Sequence, residues 1–61
     1  MTTLYIVKAF YDGTYTDYEY SNIAHAESHY KAEQSAMLIL YQSDNQTNRK
    51  TETILQMKGV N

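Results

Sequence analysis

Residues His25, Ala26, Glu27, Ser28 and His29 place two histidines four positions apart, with a glutamate and a serine between them. On a helix that spacing turns both imidazoles to one side, the arrangement zinc sites use. A metalloprotease needs its glutamate next to the first histidine, and zinc needs a third or fourth ligand that is not apparent here; the chain also has no cysteine. Neither a metal nor any other cofactor is expected. Ser28 beside His29, or Ser21 near His25, makes no nucleophile elbow, and two glycines in the whole chain cannot build a phosphate-cradling loop. No catalytic residue is assigned, and the chain is read as a non-enzyme. Glu27 and Glu33 read as ordinary solvated helix charges.

The size of the chain points the same way. A single domain of 61 residues buries only about 60% of its unfolded surface, too little for a deep cavity, so binding is expected rather than multistep chemistry. Oligomerisation is the obvious route by which such a small, disulfide-free core gains stability. The longest apolar run, Ala36 to Tyr41, is far shorter than the ~20 residues of a membrane helix, and the N-terminus lacks a charged-then-apolar signal sequence. A soluble, cytoplasmic protein with no membrane partner is expected.

Residues 1–46 carry six carboxylates against Lys8 and Lys31, a balance of −4, whereas residues 47–61 carry three cations against Glu52, a balance of +2. The basic stripe that would neutralise phosphates is missing, so direct nucleic-acid binding is not expected. Seven tyrosines supply rigid apolar area with polar tips, suited to interfaces and equally to strands.

Thr3 to Tyr11 reads as a strand, Asp12-Gly13 as a tight hairpin turn, and Thr14 to Tyr20 as the return strand. A two-residue turn sets Tyr11 opposite Thr14, Ala9 opposite Thr16, Val7 opposite Tyr18 and Tyr5 opposite Tyr20, which defines a core face. The other face carries Leu4, Ile6 and Phe10, and sets Lys8 opposite Asp17 as a cross-strand ion pair. That face is too apolar to be plain solvent surface.

Ser21-Asn22 offers an N-cap, and the helix formers that follow predict one helix from about Asn22 to Gln42. On it Ile23, Ala26, Tyr30, Met37 and Tyr41 form a stripe for the sheet. Ala32, Ala36, Ile39 and Leu40 form a second apolar patch that a lone domain would leave wet, the expected dimer interface. Residues 43–50 read as a polar connection, and Lys50 to Lys58 as a final strand, followed by Gly59 and a short tail. The expected fold is α+β, a single domain over residues 1–61, with a ββαβ order and a three-stranded antiparallel sheet ordered 2-1-3 under one long helix. The alternative is ββαββ, with residues 36–42 as a strand.

With Asp12-Gly13 followed by Tyr18-Glu19-Tyr20, the chain resembles the small homodimeric uracil-DNA glycosylase inhibitors of Bacillus phages. It is similar to them in length, lack of cysteine, acidic-aromatic character and element order. That resemblance implies a homodimer that blocks the glycosylase's DNA-binding cleft by mimicking DNA, with an apolar pocket for the enzyme's DNA-probing leucine. Glu19 matches the family's strand glutamate. The family's helical Phe-Glu-x-x-Tyr pattern falls either on Ala26-Glu27-Ser28-His29-Tyr30 or on Met37-Leu38-Ile39-Leu40-Tyr41. The resemblance therefore implies Glu19 and Glu27 in place of phosphates, Tyr30, Met37 and Tyr41 lining the pocket, and the cytoplasm of a host cell as the location. Another small phage antagonist of host defence or nucleic-acid machinery, or a structural oligomerisation subunit, remains the alternative.

Overall fold

A right-handed twist in paired strands favours turns with positive φ at both central residues, and Asp12 and Gly13 adopt 49° and 80°. They join β1 (Thr2–Tyr11) to β2 (Thr14–Tyr20) in the expected register, from Tyr11 opposite Thr14 to Tyr5 opposite Tyr20. The structure, a computed structural model, describes residues 1–59. The short tail expected after Gly59 lies outside them.

Asn22 caps the next element by accepting a hydrogen bond from the Ala24 amide at 2.8 Å, and α1 spans Ile23–Ala32. Ten residues make a helix that would be marginal alone, so packing must hold it. Ala26 and Tyr30 supply that packing, buried with Val7, Ala36 and Leu38 and flanked by Tyr5 and Tyr20. Ile23, expected on the same stripe, is 41% exposed.

The long helix is not formed. The chain leaves α1 at Glu33, which is extended (φ −83°, ψ 144°), and re-enters regular structure as β3, Ala36–Asp44. Asn45 to Asn48 then turn it into β4 (Arg49–Lys58), with the Asp44 side chain accepting from the Gln46 amide and Asn48 at φ 56°. The fold is thus ββαββ, the alternative reading, in one four-stranded antiparallel sheet ordered β2-β1-β3-β4. The expected order 2-1-3 fails because β3, not the last strand, takes the free side of β1, and β4 becomes an edge.

The run Ala36 to Tyr41 is apolar because β3 is an inner strand with packed side chains on both faces, a pattern that overrides the helix propensity of Ala, Met and Leu. Its ladder with β1 runs from Thr2 opposite Ser43 to Ala9 opposite Ala36. A bulge shifts its ladder with β4, so that Leu38 faces Gln56 while Ile39 faces Ile54.

The connection between α1 and β3 is tied down from two sides. Ser35 accepts from the Phe10 amide at 3.0 Å and donates its hydroxyl to the Gly59 carbonyl at 2.7 Å. Gly59 has φ 63°, and a Cβ there would lie 2.7 Å from the Gln34 carbonyl oxygen. Lys58 donates to the Lys31 carbonyl at 3.1 Å and lies over the Tyr30 ring, placing a cation at the negative end of the helix.

Candidate functional site

Strand alternation separates two chemically different faces. On the face under α1, Tyr11 and Tyr20 reach the last turn of the helix, where His29 and Glu33 stand four residues apart. Tyr11 donates its hydroxyl to one Glu33 oxygen, His29 Nε2 lies 2.9 Å from the other, and His29 Nδ1 lies 2.6 Å from the Tyr20 hydroxyl. With Glu33 ionised, this network assigns the ring proton to Nε2, leaving Nδ1 to accept from Tyr20. Tyr18 and Tyr20 meet the imidazole edge-on, with centroids at 4.6 and 5.7 Å.

Charge follows the bonds. The hydrogen bond to Glu33 pushes Tyr11 up to about 12, helped by partial desolvation and the carboxylate's charge. Glu33 is held below the ordinary carboxylate range, first by the Tyr11 hydroxyl and then by His29. The four groups clamp the end of α1 to the β1–β2 hairpin. The sequence signal for this cluster was the pair His29 and Glu33 at i and i+4, together with the hairpin register that puts Tyr11 and Tyr20 on the helix side.

Both ring nitrogens of His29 are engaged, so the spacing from His25 to His29 does not leave this imidazole open to a metal. Among the described residues, no three His, Cys, Asp or Glu side chains gather where they could hold one. A surface depression of about 180 Å³, below the ~300 Å³ at which ligand pockets begin, is lined by Met1, Gln42, Ser43, Asp44, Arg49 and Thr51. None of the clamp residues borders it.

The opposite face has no helix over it. Ladder partners place Leu4, Ile6 and Phe10 of β1, Met37, Ile39 and Tyr41 of β3, and Ile54 and Met57 of β4 there. Ile6 and Ile39, at its centre, are only 9% and 5% exposed, whereas Ile54 and Met57 on the edge strand are 53% and 51% exposed. Along β2 this face is bounded by Tyr15, Asp17 and Glu19, all exposed. Lys8 lies 3.8 Å from Asp17, the expected ion pair, and 4.1 Å from the centre of the Tyr15 ring.

The sequence-predicted binding residues divide between the faces. Glu19, Met37 and Tyr41 share the open face. Tyr30 is buried under the helix, so the expected pocket of Tyr30, Met37 and Tyr41 is not assembled; a long helix would have aligned them, and the strand at 36–44 puts a sheet between them. Glu27 lies half-buried on α1, about 200° around the helix from His29, and so points away from β2 and Glu19. The expected dimer patch is dispersed for the same reason. Ala32 is exposed at the helix end, Ala36 is buried in the core, Leu40 falls on the helix side of β3, and Ile39 alone lies on the open face.

No family model matches the chain, and no curated protein or solved structure matches it either. No helix among the described residues is long and apolar enough to cross a membrane.

Proposed function

We propose that the chain is a non-enzymatic inhibitor that works as a homodimer and blocks the DNA-binding cleft of uracil-DNA glycosylase by DNA mimicry. The observation that carries this reading is the exposed edge strand β2, with Asp17 and Glu19 on one side, Tyr18 on the other, and Asp12 in the adjoining turn. Two carboxylates at alternate strand positions stand roughly 6.6 Å apart along one side of an edge, a short acidic row in which Asp17 already has Lys8 at 3.8 Å. A cleft built to attract phosphates attracts such a row, and the exposed Tyr18 adds rigid contact area at small entropic cost.

An apolar socket for the DNA-probing leucine belongs beside those carboxylates. Phe10 and Tyr15, with ring centroids 6.1 Å apart and Lys8 over the Tyr15 ring, are the aromatic surface next to Asp17 that such a side chain meets in this reading. Tyr30 serves the core, and Glu27 lies outside the contact.

The test is uracil excision by purified bacterial glycosylase, titrated with the protein. Stoichiometric inhibition is expected, and the pair Asp17→Lys with Glu19→Lys is expected to weaken it about tenfold or more, equivalent to at least 1.4 kcal/mol. Both positions are exposed, so circular dichroism should remain unchanged. Absence of inhibition by the wild type, or full inhibition by the reversed variant, would discard the mimicry.

A further inference from the structure

We propose that the open face of the sheet, centred on Ile6 and Ile39, is where a second copy of this chain docks, forming a closed sheet-on-sheet dimer. The inference rests on the homodimer of the preceding reading and is independent of the choice of target enzyme. It also relocates the interface from the helix to the far side of the sheet.

Area is the first argument. The two longer dimensions of the molecule, 37 and 23 Å, bound the sheet face at about 850 Å² with its β2 margin included, of the same order as the about 800 Å² that a stable interface buries from each partner. The third dimension is 15 Å, enough for one sheet and one helix layer, so nothing from the described chain folds back over this side. Contiguous apolar patches beyond a few hundred Å² mark interaction surfaces.

Composition is the second. Leu4, Ile6, Met37, Ile39, Tyr41, Ile54 and Met57 occupy the middle of β1, β3 and β4, while Asp17 and Glu19 stand along the β2 margin and Glu52 lies opposite Tyr41 toward one end of β4. An apolar centre with a charged rim is the anatomy of a protein interface. The cation set within the face, Lys8, already has Asp17 and the Tyr15 ring as partners, so covering it strands no charge.

The third is what the core lacks. The cluster under the helix consists of Val7, Tyr30 and Leu38 with the two alanines Ala26 and Ala36, a small core for 61 residues. Two open faces packed together create a second apolar layer about 10 Å thick, closed by a two-fold axis. Asp17, paired with Lys8, and Glu19 lie at the rim of that interface.

Sedimentation equilibrium on the full chain tests this. The wild type is expected at about twice 7.1 kDa, with a melting temperature that rises with protein concentration. Ile54→Lys with Met57→Lys is expected to give a monomer that keeps its circular dichroism. Should that pair unfold the chain, Met57→Lys alone is expected to weaken the dimer at least about tenfold, while Ile23→Lys on the helix side leaves it intact. A wild-type monomer up to millimolar concentration, assemblies larger than a dimer, or a dimer indifferent to both β4 variants would overturn the proposal. Inhibition of the glycosylase by a strict monomer would sink the dimer and keep the target; a dimer through this face without inhibition would do the reverse.

Discussion

Glu33 accepts from Tyr11 and His29 at once, and the pH dependence of stability follows from that double role. A carboxylate held below its ordinary range contributes stability that is present above that range and fades as pH falls through its folded value. Tyr11 works in the opposite sense: raised to about 12, it contributes fully below about 10 and loses its contribution as pH rises towards 12. Urea unfolding across pH should therefore show an acid limb that Glu33→Gln flattens and an alkaline limb that Tyr11→Phe removes. Unchanged limbs in both variants would mean that the clamp carries no linkage. The ion pair of Lys8 with Asp17 was legible in the sequence because a two-residue turn dictates register, and register dictates partners. The clamp was not, because Glu33 reads as a solvated charge until the helix is known to stop there.

Between residues and molecule, the decisive element is the three-residue passage from α1 to β3. The first hairpin and the N-cap could be read directly, since Asp-Gly and Asn22 act through local backbone geometry. The end of the helix could not, because Ala36 to Tyr41 satisfies a helix by propensity and a strand by burial, and only the vacant side of β1 decides between them. The contacts of Gly59 with Gln34 and Ser35 lie 24 or more residues apart in sequence and carry no local signature. They do carry a prediction. Gly13→Ala, in open space at positive φ, should cost only the conformational penalty of about 1–2 kcal/mol. Gly59→Ala meets that penalty and a clash with the Gln34 carbonyl, so its loss of stability in thermal unfolding should be the larger. Equal losses would mean that the passage yields freely.

For the molecule as a whole, the sheet order β2-β1-β3-β4 joins two hairpins by one seam between β1 and β3, with α1 laid across it. Alone, the described chain is a two-layer protein, one sheet under one helix, with the acidic β2 strand at an edge. The seam also has a meaning in time. Each hairpin closes over a turn of two or four residues, whereas the seam joins positions as far apart as Thr2 and Ser43. Short loops close quickly and long ones slowly, so the hairpins can flicker into being before their docking decides whether the chain folds. Leu38→Ala, opposite Val7 on that seam, should cost about 3 kcal/mol of the roughly 3–9 kcal/mol expected for a chain of this length. In stopped-flow measurements, most of that loss should fall on the refolding rate; a loss confined to the unfolding rate would place docking after the barrier. During synthesis the first hairpin must then wait, with half its ladder bare, until the ribosome has delivered the strand that completes it.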